Sequence, residues 1–202
     1  MRASIILGID PDTHHTALVL ASAAEIHQVY VVRSRSDDSD ESASLQMIRN
    51  LAPAFEALAG KADGIVVEGQ QIYTGKAVAS TDSIISLAHV AGALVAYANR
   101  AFPDKPILVP KPSQWKGNVP KQIHHARLYS HYGIEFATTA DYCYPTGCAT
   151  AARIPGFGKT KKADWKHLGD AVGMALWGAI RMQMGLDGKS GGFPNPAPRK
   201  AD

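Results

Sequence analysis

The chain has 202 residues, 46% of them hydrophobic and 19% charged, with a formal net charge of +3. That is enough apolar content for one substantial core, and it excludes a disordered or fibrous chain. Two cysteines, Cys143 and Cys148, are too few for a disulfide framework and lack the second ligand pair of a structural zinc site.

The charge is unevenly spread. Residues 1–99 carry six Lys/Arg against eleven Asp/Glu, whereas residues 100–202 carry fifteen against seven. An acidic cluster together with a basic surplus suits a surface that faces phosphates. Asp10 interrupts the first apolar run too early for a signal peptide, and no run approaches membrane-spanning length. The expectation is a soluble, cytoplasmic protein with no membrane partner.

Along the chain, Ser4 to Ile9, Thr16 to Ala21 and His27 to Arg33 are short runs rich in Val, Ile and Tyr with short polar breaks, which predicts an antiparallel three-strand meander. After the polar run Ser34 to Asp40, helical spacing holds from Ser42 to Leu58 at Leu45, Ile48, Leu51, Phe55 and Leu58. A strand, Gly64 to Glu68, leads through a polar loop to a helix from Asp82 to Ala101. Apolar residues cover most of that helix's circumference, which suits either core burial or a dimer face. Pro106 to Val109 reads as a short strand and Val119 to His131 as a polar helix. Gly, Thr and Pro then punctuate Phe136 to Lys162 without a period, so that span reads as a long loop. Asp164 caps a last helix that runs to Met184.

This order predicts an α/β fold: a mixed five-stranded sheet, made of the N-terminal meander plus parallel strands, flanked by helices. Residues 1–186 form one domain and 187–202 a disordered basic, Pro/Gly-rich tail.

Asp10 and Glu68 each end an apolar strand, and a carboxylate there needs a partner or a cation. If the two strands are parallel neighbours, both acids emerge at one sheet edge. His167 and Asp170, three apart on the last helix, share a face. Gly169, Ala171, Gly173, Ala175 and Ala179 keep that helix thin enough to bring Asp170 beside Asp10. Carboxylates so placed repel unless a cation sits among them. Oxygen donors with an imidazole and no thiolate select Mg²⁺, with Mn²⁺ as an alternative.

Other motifs are weaker. Trp115-Lys116-Gly117-Asn118 combines an aromatic, a cation and a turn, suited to stacking on a base or gripping a phosphate, or simply to packing. His14-His15 and His124-His125 read as structural pairs, because neighbours in a strand point to opposite faces. Gly158-Lys159-Thr160 echoes a phosphate-binding loop, but the glycine such a loop needs is Arg153 and no strand precedes it, so no small-molecule cofactor is expected.

Taken in order, Gly8-Ile9-Asp10-Pro11, Val67-Glu68, Leu87-Ala88-His89-Val90-Ala91-Gly92-Ala93-Leu94, Lys121-Gln122-Ile123-His124 and His167-Leu168-Gly169-Asp170-Ala171 resemble the RuvC-type Holliday junction resolvases of the RNase H-like superfamily. The resemblance spans roughly residues 4–184. It implies a crossover junction endodeoxyribonuclease that nicks four-way DNA junctions in pairs, with two Mg²⁺ ions held by Asp10, Glu68, His167 and Asp170. It further implies that Lys121 faces the scissile phosphate and that the helix 82–101 joins a homodimer. The residues expected to contact branched DNA are Tyr73, Lys76, Lys111, Trp115, Lys116, Lys121, Arg153, Lys159, Lys161 and Lys162.

The chain departs from the family pattern at three places. Asp12 replaces a glycine and adds an acid near the metal ligands. The aromatic wedge is displaced, with Tyr73 as the nearest candidate. The stretch 136–162 is longer and carries Arg153, Lys159, Lys161 and Lys162. These differences suit a divergent, phage-borne member acting in the host cytoplasm without bacterial branch-migration partners. A flap, fork or RNA–DNA hybrid nuclease and a catalytically silent DNA-binding scaffold are the other readings of the same residues. A two-domain sugar-kinase or actin-like phosphotransferase is excluded by length.

Overall fold

The computed structural model describes residues 3–34, 42–70, 81–147 and 149–185. Tyr73, Lys76, Cys148 and the tail from 187 lie outside the described residues. Strand β1 (Ile6–Asp10) is buried along its whole length. It pairs antiparallel with β2 (His15–Ala21), and β2 pairs antiparallel with β3 (Ile26–Arg33). On its other side β1 runs parallel to β4 (Gly64–Val67), which runs parallel to β5 (Ile107–Leu108). The order β3-β2-β1-β4-β5 is the mixed five-stranded sheet that the sequence predicts.

Period-two alternation sends the sheet's side chains into two separate cores. Leu7, Ile9, Leu18, Leu20, Ile65 and Val67 pack with α1 (Ala43–Ala59) and α2 (Thr81–Ala101). Ile6, Ala17, Val19 and Val66 pack on the other face with α6 (Trp165–Gln183). Ser42 caps α1 by accepting from the Leu45 N–H. At the other end of α1, Lys105 Nζ donates to the carbonyls of Ala59, Gly60 and Ala62 at 2.6, 3.1 and 2.6 Å. These bonds tie the C-terminal end of α1 and the turn after it to one ammonium.

Helix α2 has two apolar faces, which explains its unusual sequence. Val90, Ala91, Leu94 and Ala98 are buried, while Ile85 is 46% exposed and Ala88, Gly92 and Ala96 continue an exposed stripe at helical spacing. From Asp82 to Ala101, at mean hydropathy 1.2, α2 is long and apolar enough to cross a membrane by length and composition, contrary to the expectation that no run is. Its inner face is committed to the core it shares with α1.

The span 136–162 is more structured than expected. After α3 (Pro112–Trp115) and α4 (Lys121–His131) it forms a hairpin, β6 (Phe136–Thr138) and β7 (Cys143–Pro145), then α5 (Ala149–Ala152) and two 3-10 turns. Strands of three residues are too short to register as a period, which is why the sequence reads as a loop. The segment shields the outer strand: Val29 N–H of β3 donates to Pro155 O at 3.0 Å. Gly156, at φ 91°, permits this approach, because a Cβ there would overlap the Val29 carbonyl.

Candidate active site

Because β1 and β4 are parallel neighbours, Asp10 and Glu68 leave the sheet side by side at one edge. Helix α6 reaches the same edge by lying directly on β1. A Cβ on Gly8 would overlap the Ala171 carbonyl and stand 2.6 Å from Ala175 N, so strand and helix meet backbone to backbone. That seating delivers His167 and Asp170 to the two strand-end acids. Asp10 and Asp170 are buried, at 6% and 4% exposure.

Each acid is engaged. Glu68 lies beside Asp10, close enough to feel its charge, and Trp115 Nε1 donates to Glu68 Oε1 at 3.1 Å. His167 Nδ1 lies 2.9 Å from Asp10 Oδ2. Asp170 pairs with Lys121 through Oδ2, while Oδ1 lies 3.1 Å from His125 Nε2 and 3.8 Å from Lys116 Nζ.

The electrostatics follow from these contacts. Burial raises Glu68, and the charges of Asp10 and Asp170 raise it further, to well above the usual carboxylate range. Asp170 moves the opposite way: burial alone would raise it, but the His125 hydrogen bond and the Lys121 and Lys116 charges hold it well below. Burial opposes the charge on His167, yet the hydrogen bond and charge of Asp10, with the charge of Asp12, raise it overall. Burial opposes the charge on Lys121 too, and Asp170 and Asp10 outweigh it.

No protein-family model and no curated protein matches this chain. Solved structures do. Thermus thermophilus RuvC is 20% identical at a TM-score of 0.60, over 90% of this chain and 97% of that one. T. thermophilus RuvC in complex with a Holliday junction substrate is 18% identical at a TM-score of 0.60, over 91% and 97%. This chain has the RuvC fold.

On the RuvC fold the expected ligand residues Asp10, Glu68, His167 and Asp170 come together at one edge, with Lys121 among them. Oxygen donors with one imidazole fit a hard divalent ion, and a cation between the carboxylates would relieve the repulsion that raises Glu68. Among the described residues no three His, Cys, Asp or Glu side chains already frame an ion. Their donor atoms instead face one another, Lys121 and His125.

Of the residues expected on DNA, Lys111, Arg153, Lys159, Lys161 and Lys162 are exposed, and Lys116 and Lys121 border the carboxylates. The last three lead into the N-terminal end of α6, and Lys162 Nζ lies 4.3 Å from the centroid of the Tyr144 ring. Trp115 needs correction. It is wholly buried, so no base can stack on it, and its indole serves Glu68. Asp12, expected to add an acid near the metal ligands, acts on His167 by its charge and also closes the β1–β2 turn: its Oδ1 accepts from the N–H groups of His14 and His15 at 2.7 and 3.1 Å.

The sequence reading missed His125. It treats the His124-His125 pair as strand-like, whereas both lie on α4, where residues four apart share a face. Lys121 and His125 have that spacing, and both reach Asp170.

His124 gives the fold an acid-sensitive element. Burial, aided by His125, pushes its pKa from 6.5 down to about 4. The unfolded chain therefore binds the extra proton first as pH falls, and stability is lost between pH 6.5 and 4. At about 1.4 kcal/mol per unit this contributes about 3 kcal/mol. Urea unfolding across that window should show a shallower loss in His124→Gln than in wild type; identical slopes would contradict the assignment.

Proposed function

We propose that this chain is a homodimeric, Mg²⁺-dependent endonuclease that resolves four-way DNA junctions by paired phosphodiester hydrolysis. The reading is carried by three carboxylates, from the ends of β1 and β4 and from α6, meeting Lys116 and Lys121 at one sheet edge. It is supported by the fold, whose Thermus member has been solved in complex with a Holliday junction substrate.

Asp10, Glu68 and Asp170, with His167, would hold two Mg²⁺ ions, with Mn²⁺ as an alternative. Bound there, the ions supply an acidified water and offset the charge on the reacting phosphate. Lys121 and Lys116, both paired with Asp170, would offset the negative charge that builds as water attacks phosphorus in line. With Nδ1–H turned to Asp10, His167 has Nε2 left, which would ligate an ion or, where it does not, hold or pass a proton at a reacting oxygen. Lys111, Arg153, Lys159, Lys161 and Lys162 would grip the duplex arms by their phosphates, so binding should weaken steeply with salt. We place this activity in residues 1–186 and in the cytoplasm.

The second protomer would dock on the outer stripe of α2, where Ala88, Gly92 and Ala96 allow close helix approach. Gly92→Glu tests this, since a Cβ at 92 meets nothing within 4 Å of the protomer. Light scattering should give the dimer mass for wild type and half of it for the variant; equal masses would contradict the interface.

The function is tested with a labelled four-way junction beside a flap, a fork, a plain duplex and an RNA–DNA hybrid, each with Mg²⁺ or chelator. Metal-dependent nicks in the junction above all others are expected. Preference for another substrate would reassign the target, and binding without cleavage of any would make the chain a scaffold.

A further inference from the structure

Helix α6 carries two glycines one turn apart, Gly169 and Gly173, that do not face the sheet. A Cβ on Gly169 would collide with the His125 ring, standing 2.6 Å from both its nitrogens. A Cβ on Gly173 would stand 2.5 Å from Trp115 Cζ3 and 2.8 Å from His124 Nε2. The two notches are therefore filled by aromatic rings seated against bare helix backbone.

Both seated rings point a donor at a candidate metal ligand. Indole Nε1–H can only donate, and it donates to Glu68 Oε1. An ionised carboxylate can only accept, so His125 carries its proton on Nε2 toward Asp170 Oδ1. Trp115 and His125 are both wholly buried, so neither can touch DNA. Whatever they contribute, they contribute through the two carboxylates.

We propose that Trp115 and His125 are positioning residues, locked in the Gly173 and Gly169 notches, that fix Glu68 and Asp170 for metal binding and so set the protein's affinity for Mg²⁺. The inference rests on the metal-dependent reading above. Trp115 Nε1–H holds Glu68 Oε1 and His125 Nε2–H holds Asp170 Oδ1, so each carboxylate is fixed in orientation at the edge where an ion would sit. Losing such a supporting hydrogen bond typically weakens metal binding by about 10–100-fold.

The test is calorimetric titration of Mg²⁺ into the metal-free full chain, with circular dichroism as the check on folding. Trp115→Phe, which keeps a ring in its notch, and His125→Phe should each bind Mg²⁺ about 10–100-fold more weakly than wild type. His125→Gln, which retains a donor near the Nε2 position, should recover most of the loss. Junction cleavage by Trp115→Phe should approach the wild-type rate once Mg²⁺ saturates, a split that a merely structural lesion would not give. If His125→Phe does not fold, Trp115→Phe decides the matter. Wild-type affinity in the folded variants would overturn this inference and leave the proposed function standing; a wild-type chain that binds no Mg²⁺ would overturn both.

Discussion

Gly8→Ala should unfold the protein or leave it at least about 3 kcal/mol less stable, at the upper end of what overpacking a core costs. The reason lies in what the new methyl meets. The Ala171 carbonyl, Ala175 N at 2.6 Å and Ala175 Cβ at 2.9 Å stand in its place, and the first two are backbone atoms that no rotamer change can move. Ala175→Gly should therefore fail to rescue it. A chain of this size loses about 2–4 °C per kcal/mol, so thermal melts should fall by about 10 °C. Function should fall with stability, because the contact that the methyl breaks is the one that carries Asp170 to Asp10. An unchanged melting midpoint would mean that α6 does not lie on β1 as described.

Asp10→Asn should abolish cleavage while leaving the fold intact. Asp10 is the acid that His167 contacts and whose charge acts on Glu68, so it is central to the cluster. Losing metal-assisted charge stabilisation of several kcal/mol corresponds to a rate loss of at least about 10³-fold. The same variant separates binding from repulsion. In chelator it should melt close to wild type, because Asn keeps an oxygen to accept from His167 and the one charge removed both raises Glu68 and pairs His167. With Mg²⁺ at about 100 times its dissociation constant, wild type should gain about 2.7 kcal/mol and the variant nothing. An equal Mg²⁺-dependent rise in melting temperature for both would remove Asp10 from the metal site.

Much of the site was legible because strands that end in an acid are conspicuous. Asp10 and Glu68 follow continuous apolar runs, and their parallel pairing follows from the strand–helix order. Asp170 and His167 were found through helical spacing and the small residues around them. Those small residues divide their work in a way the sequence does not reveal: Ala171 and Ala175 admit Gly8, whereas Gly169 and Gly173 admit His125 and Trp115. What supports the carboxylates was not legible, because Trp115 and His125 lie more than forty residues from their partners and their composition suggests packing or DNA contact as readily as support. The 136–162 span was misread for a related reason. Its strands are three residues long, and its order comes from contacts with β3 and α6 rather than from any local period.

The most direct measurement is Mg²⁺-dependent cleavage of a four-way junction with each strand end-labelled in turn, read at single-nucleotide resolution. The account predicts nicks at symmetric positions on two opposed strands, appearing with Mg²⁺ and absent with chelator. Intact strands in Mg²⁺, with the folded protein bound to the junction, would contradict it.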